Sequence, residues 1–182
     1  AYGAEVYVQK TSGKVTGICS YTLSKSERRF PDKAINNGKW YPFANDRRNN
    51  IRIAAMCKFN DRIDAAASWV FMSGNYMTVP ERETVYVDPE GKFHYLHYVS
   101  GRNNYKLPPT HHLDLSVNFT KHKKKGERVW TVGLYNAYCA MNPDWTYVND
   151  IWSRDEAGTS SYSANITKLS FLTILPSVSY TY

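Results

Sequence analysis

Hydrophobic and polar residues alternate one by one along most of this chain. The spacing of three to four that marks an amphipathic helix is almost absent. Successive side chains of a strand point to opposite faces, so the alternation predicts strands that each carry one apolar face. The clearest stretch sets Leu113, Leu115, Val117 and Phe119 against Asp114, Ser116, Asn118 and Thr120. Another sets Ile51, Ile53, Ala55, Cys57 and Phe59 against Arg52, Ala54, Met56 and Lys58. The pattern predicts seven long strands, at residues 3–10, 15–25, 50–59, 63–72, 112–121, 128–138 and 166–182. Pro176 cannot donate to a sheet ladder, so a bulge or a sheet edge is expected near it.

Alternation alone fits a soluble sandwich as well as a membrane barrel. The connections separate the two. Residues 11–14, 60–62 and 122–127 are short links, while 26–49, 73–111 and 139–165 are long ones, and the two kinds alternate strictly. Outer-membrane barrels segregate lengths in this way, with short periplasmic turns and long extracellular loops. Most of the strands also approach the roughly 9–11 residues that cross a bilayer, against about 5–6 in an ordinary soluble strand. The expected fold class is therefore all-β, made of antiparallel transmembrane β-barrel strands. It is one unit over residues 1–182, in the cell outer membrane, with the C-terminus periplasmic. The long loops are rich in turn residues, among them Asn36-Asn37-Gly38, Ser73-Gly74-Asn75 and Gly158. The middle loop is expected to hold its own hairpin, 84–87 with 93–99, across Asp88-Pro89-Glu90-Gly91-Lys92.

Composition sharpens this. Aromatic residues make up 15% of the chain, yet mean hydropathy is −0.55. Rings scattered through so much polar surface suit two interfacial girdles around a wet lumen better than one compact core. The net charge of +7 would suit anionic lipid or nucleic acid. It gathers at Lys121, Lys123, Lys124 and Lys125, and at Arg28, Arg29, Arg47 and Arg48. No basic helix and no aromatic RNA-binding signature carries it, so nucleic acid is not an expected partner. Cys19, Cys57 and Cys139 form no C-x-x-C pair, which argues against a zinc site or a disulfide scaffold. No apolar run nears the roughly 20 residues of a membrane helix. No stretch reads as a signal peptide and the first residue is Ala1, as in a mature protein or an internal piece.

Several segments carry a family likeness. They are Tyr2-Gly3-Ala4-Glu5, Tyr21-Thr22-Leu23-Ser24-Lys25-Ser26, Asp46-Arg47-Arg48-Asn49-Asn50-Ile51 and Leu107-Pro108-Pro109-Thr110-His111-His112-Leu113-Asp114-Leu115. Tyr135-Asn136-Ala137-Tyr138 with Met141-Asn142-Pro143, and the closing Leu175-Pro176-Ser177-Val178-Ser179-Tyr180-Thr181-Tyr182, complete the set. In this order they span essentially the whole chain. Together they resemble the late barrel of Bacteroidetes-type TonB-dependent outer-membrane receptors. His112 stands where that family more often has Arg, and the family's last strand tends to run on to a terminal Phe.

The resemblance implies a plugged barrel of about 22 strands. Seven strands at about 4.8 Å each would make about 34 Å of its wall. The implied function is uptake of a scarce nutrient, such as an iron chelate, a glycan or a peptide, with this chain only the C-terminal barrel segment. The implied partners are outer-membrane lipid and lipopolysaccharide, the plug and N-terminal strands of the same receptor, TonB acting indirectly, and a surface lipoprotein. Neither a cofactor nor covalent chemistry is implied. The alternative is a soluble all-β carbohydrate-binding module.

Candidate chemistry is sparse. On a strand, residues at i and i+3 point apart, so His94-x-x-His97 reads as two loop histidines rather than a metal pair. His112 and Asp114, at i and i+2, share a face and could orient a base, but no G-x-S-x-G motif supplies a nucleophile. With Glu5, Arg52, Asp64 and Asn118 they are expected to face the lumen or the plug. Trp69, Trp130, Tyr135, Tyr138 and Tyr180 are expected at girdle or lipid-facing positions. The candidate ligand-binding residues are the loop aromatics Trp40, Tyr41, Phe43, Trp145, Tyr147 and Trp152, because loops on a rigid scaffold collect binding residues. No catalytic or metal-ligating residue is assigned.

Overall fold

The computed structural model describes residues 1–33, 35–124, 126–154, 160–171 and 173–182. Lys125 and Gly158 therefore lie outside the described residues. The strands are β1 (Tyr2–Lys10), β2 (Val15–Lys25), β3 (Glu27–Arg28), β4 (Tyr41–Pro42), β5 (Asn49–Lys58), β6 (Ile63–Met72), β7 (Tyr76–Met77) and β8 (Arg82–Val87). They continue as β9 (Phe93–Tyr98), β10 (Tyr105–Lys106), β11 (Thr110–Lys123), β12 (Gly126–Tyr135), β13 (Trp145–Arg154), β14 (Ser160–Leu169) and β15 (Leu175–Thr181). The fold is all-β and antiparallel. Seven strands form one sheet in the order β1-β2-β5-β6-β11-β12-β15. Each pairs with the next strand of this sheet along the chain, so the sheet is a simple meander. It is open, because β1 and β15 each pair with one neighbour only.

Chain excursions leave this wall unequally at its two ends. Residues 11–14, 59–62 and 124–125 make the short links, and 26–48, 73–109 and 136–174 the long ones. The Asn60 side chain shapes one short link by accepting from the amides of Arg62 and Ile63 at 2.8 and 2.9 Å, an Asx-type turn. His122 ties two of the short links together, donating to the Asp61 carbonyl at 2.8 Å and meeting Glu127 Oε1 at 2.8 Å. The long excursions build the remaining pairs, β3–β4, β7–β10, β8–β9 and β13–β14. The hairpin expected at 84–87 and 93–99 is the β8–β9 pair, in the register Val87↔Phe93.

Two strand expectations fail. A strand over 166–182 does not form. Residues 160–169 pair instead with β13, in the register Trp152↔Tyr162, and the wall strand begins only at Leu175. Alternation marks both stretches as strand but does not say which partner each takes. The sixth wall strand also ends earlier than expected, at Tyr135, where Asn136 enters the left-handed region with φ of 52°. Pro176 sits in β15, at the sheet edge, where a missing donor is tolerated.

Register fixes the two faces, because residues opposed across a ladder share a side. On one side stand Val6, Val8, Cys19, Ile53, Ala55, Ala67, Leu115, Val117, Val132 and Val178. On the other stand Glu5, Thr22, Asn50, Arg52, Ser68, Asp64, Asn118 and Thr131. Among the described residues nothing covers the apolar side: Val6, Val8, Val132 and Val178 are 59, 61, 48 and 65% exposed. Among the described residues the buried hydrophobic side chains are Tyr41 and Val79, and both lie in the long excursions.

Candidate functional site

All six residues expected to face a lumen lie on the polar side of the sheet. Arg52, Val70 and His112 are one row, and Asp64, Asn118 and Thr131 another. The second row is a hydrogen-bonded ladder across three strands. Asn118 Nδ2 donates to Asp64 Oδ2 at 2.7 Å, and Thr131 Oγ1 donates to Asn118 Oδ1 at 2.7 Å. His112 Nε2 lies 3.4 Å from Asp114 Oδ2, and its ring is 5.0 Å from that of Tyr135. Asp114 Oδ1 also accepts the Asn136 amide at 3.0 Å. No hydroxyl is hydrogen-bonded to His112 among the described residues. A shallow cavity of about 630 Å³ opens on this face, floored by small residues including Ala54, Ala66, Ser68 and Ser116.

The opposite face carries rings at two heights. Trp69 and Phe71 stand near the long-loop end, where the Tyr138 hydroxyl meets His111 Nδ1 at 2.8 Å and accepts from Trp69 Nε1 at 3.1 Å. Phe119, Trp130 and Tyr180 form one row near the other end, with the last two rings 4.8 Å apart. The eight residue steps from His111 to Phe119 separate the levels by about 27 Å along the strand. Tyr135 does not join them. It follows Leu134 by one residue and so faces the polar side, against His112.

The loop aromatics do not form one platform. Trp40 is 61% exposed and stands apart from the others, beside Tyr2 and Lys25. Tyr41 is buried and stacks on Phe30 at 6.4 Å, while Phe43 carries the Arg28 guanidinium 4.0 Å above its ring. Trp145 and Tyr147 share one face of β13; Trp152 is on the other, edge-on to Tyr162 at 5.6 Å.

What holds these loops is side-chain bonding to backbone. Asn103 Nδ2 donates to the Pro42 carbonyl at 2.7 Å, and Asn36 Oδ1 accepts the Arg102 amide at 2.8 Å. Arg47 Nη1 reaches both the Ser73 carbonyl and Thr110 Oγ1 at 3.4 Å. A Cβ on Gly74 would come within 1.6 Å of the Leu107 carbonyl oxygen, so only glycine lets the two ends of that excursion cross. Hydrogen bonds from Ser100 and Asn104 hold the Glu81 carboxyl below its usual range.

Sequence reading missed the junction of two hairpins. His97 of β9 lies 3.7 Å from Glu83 of β8 and 3.5 Å from Asp150 of β13. Tyr162 of β14 donates to Asp150 at 2.7 Å. Burial, that bond and the charges of Asp150 and Glu83 push its hydroxyl up to about 12. His94 turns the other way and meets Asp88 Oδ2 at 2.7 Å, as i,i+3 spacing on a strand requires. No group of three or more His, Cys, Asp or Glu is placed to hold a metal among the described residues.

No protein-family model matches the chain, and no curated protein or solved structure matches it either.

Proposed function

We propose that this chain is wall and outer loops of an outer-membrane β-barrel of the TonB-dependent receptor type, which takes up a scarce nutrient. The observation that carries the reading is the uncovered apolar face of the seven-stranded sheet, with rings near both ends and a polar face behind it. Water-soluble sheets bury such a face under a second layer. A bilayer supplies that layer, and aromatic rings then settle at its two interfaces. The wall strands agree, since six of the seven run 9–14 residues. The one-sided distribution of long excursions supports this reading, in which they face out of the cell and the short links face the periplasm.

The open edges extend the proposal. In hydrocarbon each unpaired backbone group costs several kcal/mol. Further strands of the same receptor would close the barrel, and a plug would meet Glu5, Arg52, Asp64, His112, Asp114 and Asn118. Ligand is captured by the loops, and energy arrives through TonB acting on the plug. The wall residues do no covalent chemistry. A glycan-binding module gains little support, because Trp40 lies beside Tyr2 and Lys25 while Trp145 and Trp152 are on opposite faces of β13.

Envelope fractionation with an antibody against the 73–111 loop tests the proposal. The expected band is in the outer-membrane fraction, needs detergent, and is several times heavier than 20.9 kDa. A water-soluble band near 20.9 kDa would sink it.

A further inference from the structure

We infer that the first two long excursions form a preorganised binding site for an oxyanion carried on a flat apolar body, such as an aryl carboxylate or aryl phosphate. A cavity of about 290 Å³ is lined by Arg28, Tyr41, Phe43, Thr78, Arg102 and Asn103, with Ala44. A second, of about 440 Å³, shares Thr78 and Arg102 with it. No Asp or Glu lines either one. Arg28 rests on the Phe43 ring, and neither it nor the Arg102 guanidinium has a hydrogen bond or acidic partner among the described residues. Two guanidiniums on one cavity repel each other, and an oxyanion relieves the repulsion by accepting their forked donors. Tyr41 and Phe43 supply apolar wall beside them.

The cavity is held open before any ligand arrives. β3 pairs Arg28 with Tyr41. Asn103 links Thr78 of one excursion to Pro42 of the other, bonding Thr78 Oγ1 through its own amide at 3.0 Å. Asn36, Asn37 and Asn103, which line the two cavities, all have positive φ, between 52 and 56°. Backbone in that region costs free energy and concentrates at binding sites. Fixed walls reduce the ordering cost of binding.

This inference rests on loop capture of a ligand for its role in uptake, but the binding itself is measurable alone. The intact protein in neutral detergent is titrated calorimetrically with phenyl phosphate. Binding is expected to be tighter than for inorganic phosphate and absent for benzyl alcohol at equal concentration. Arg28→Gln and Arg102→Gln are each expected to weaken it at least tenfold. On the unsubstituted protein, phenyl phosphate is expected to protect both arginines from phenylglyoxal, read by mass spectrometry, so misfolding of a variant leaves the test intact. Absence of protection, or unchanged affinity in both variants, overturns the site. Displacement by short-chain phosphatidic acid but not by benzoate would assign the anion to a lipid headgroup and overturn a soluble ligand. Where the envelope location holds and phenyl phosphate fails, only this site is lost. Where a water-soluble protein binds phenyl phosphate, the site stands and the uptake reading falls.

Discussion

The wall and its loop excursions are built on opposite terms. The wall is regular backbone pairing across seven strands with neither face covered. Among the described residues the excursions hold the buried ones: Tyr41, Asp46, Ser73, Gly74, Val79 and Asn136. In a water-soluble domain the sheet would be the better packed of the two. The reversal teaches that the excursions order themselves through their own contacts, while the wall rests on backbone pairing between its strands.

The sharpest way to break that comparison is a charge at mid-wall. If the proposed barrel holds, Leu115→Arg is expected to cost about 2–4 kcal/mol in lipid vesicles, the cost of a cation facing the bilayer midplane. Ser116→Arg, one residue along and on the polar face, is expected within about 0.5 kcal/mol of the parent. Urea unfolding followed by Trp fluorescence measures both. Equal effects would mean that the two faces see the same solvent.

Asn136→Ala tests the other side of the contrast. Asn136 is fully buried, donates to the Ala140 and Thr173 carbonyls and accepts the Ala140 amide. Removing it strands buried partners, at about 1–3 kcal/mol. The same unfolding assay reads the loss, and a neutral result would show that the third excursion does not depend on its own bonds.

Tyr138→Phe sharpens the boundary between wall and loops. It removes the hydroxyl shared by Trp69 and His111, and about 0.5–1.5 kcal/mol is expected to go with it. No change would detach Tyr138 from the ring layer.

The smallest effect is one of pH. Asp88 accepts from His94 and from the amides of Lys92 and Glu90, which hold its carboxyl below the ordinary 3.8. A depressed carboxyl stabilises the folded turn fully above its unfolded value, and the contribution fades as pH falls through the folded one. Hydrogen exchange at Glu90 and Lys92 is expected to speed up below about pH 3.8, while wall amides keep their protection. Loss of both together would show that this hairpin is not independent of the wall.

Much of the wall was legible in the sequence because strand parity is a local property. Leu113 to Phe119 announce a face without reference to any partner, and the six polar-face residues followed from parity alone. Partner choice is not local. Residues 166–182 read as one strand and 139–165 as a loop, because nothing in the pattern says that 160–169 pairs with Trp145–Arg154 while 175–181 joins the wall. The loop site was less legible for the same reason. Tyr41 and Phe43 stood out as rings, but Arg102 lies about 60 residues away and is brought to them by the Asn103–Pro42 and Arg102–Asn36 bonds. Glu83, His97, Asp150 and Tyr162 meet only because two hairpins touch.

The difference between the ends of the wall also sets where the chain can be edited. The turn at Asp88–Lys92 ends a projecting hairpin, and a Cβ at Gly91 would meet nothing within 4 Å. An epitope or a fluorescent tag spliced there would lengthen a tip and disturb no ladder. The link at 59–62 offers no such freedom, since Asn60 and Arg62 fold back on β6 and β11. Insertions between natural variants of this chain should therefore collect at one pole, leaving the other nearly constant in length.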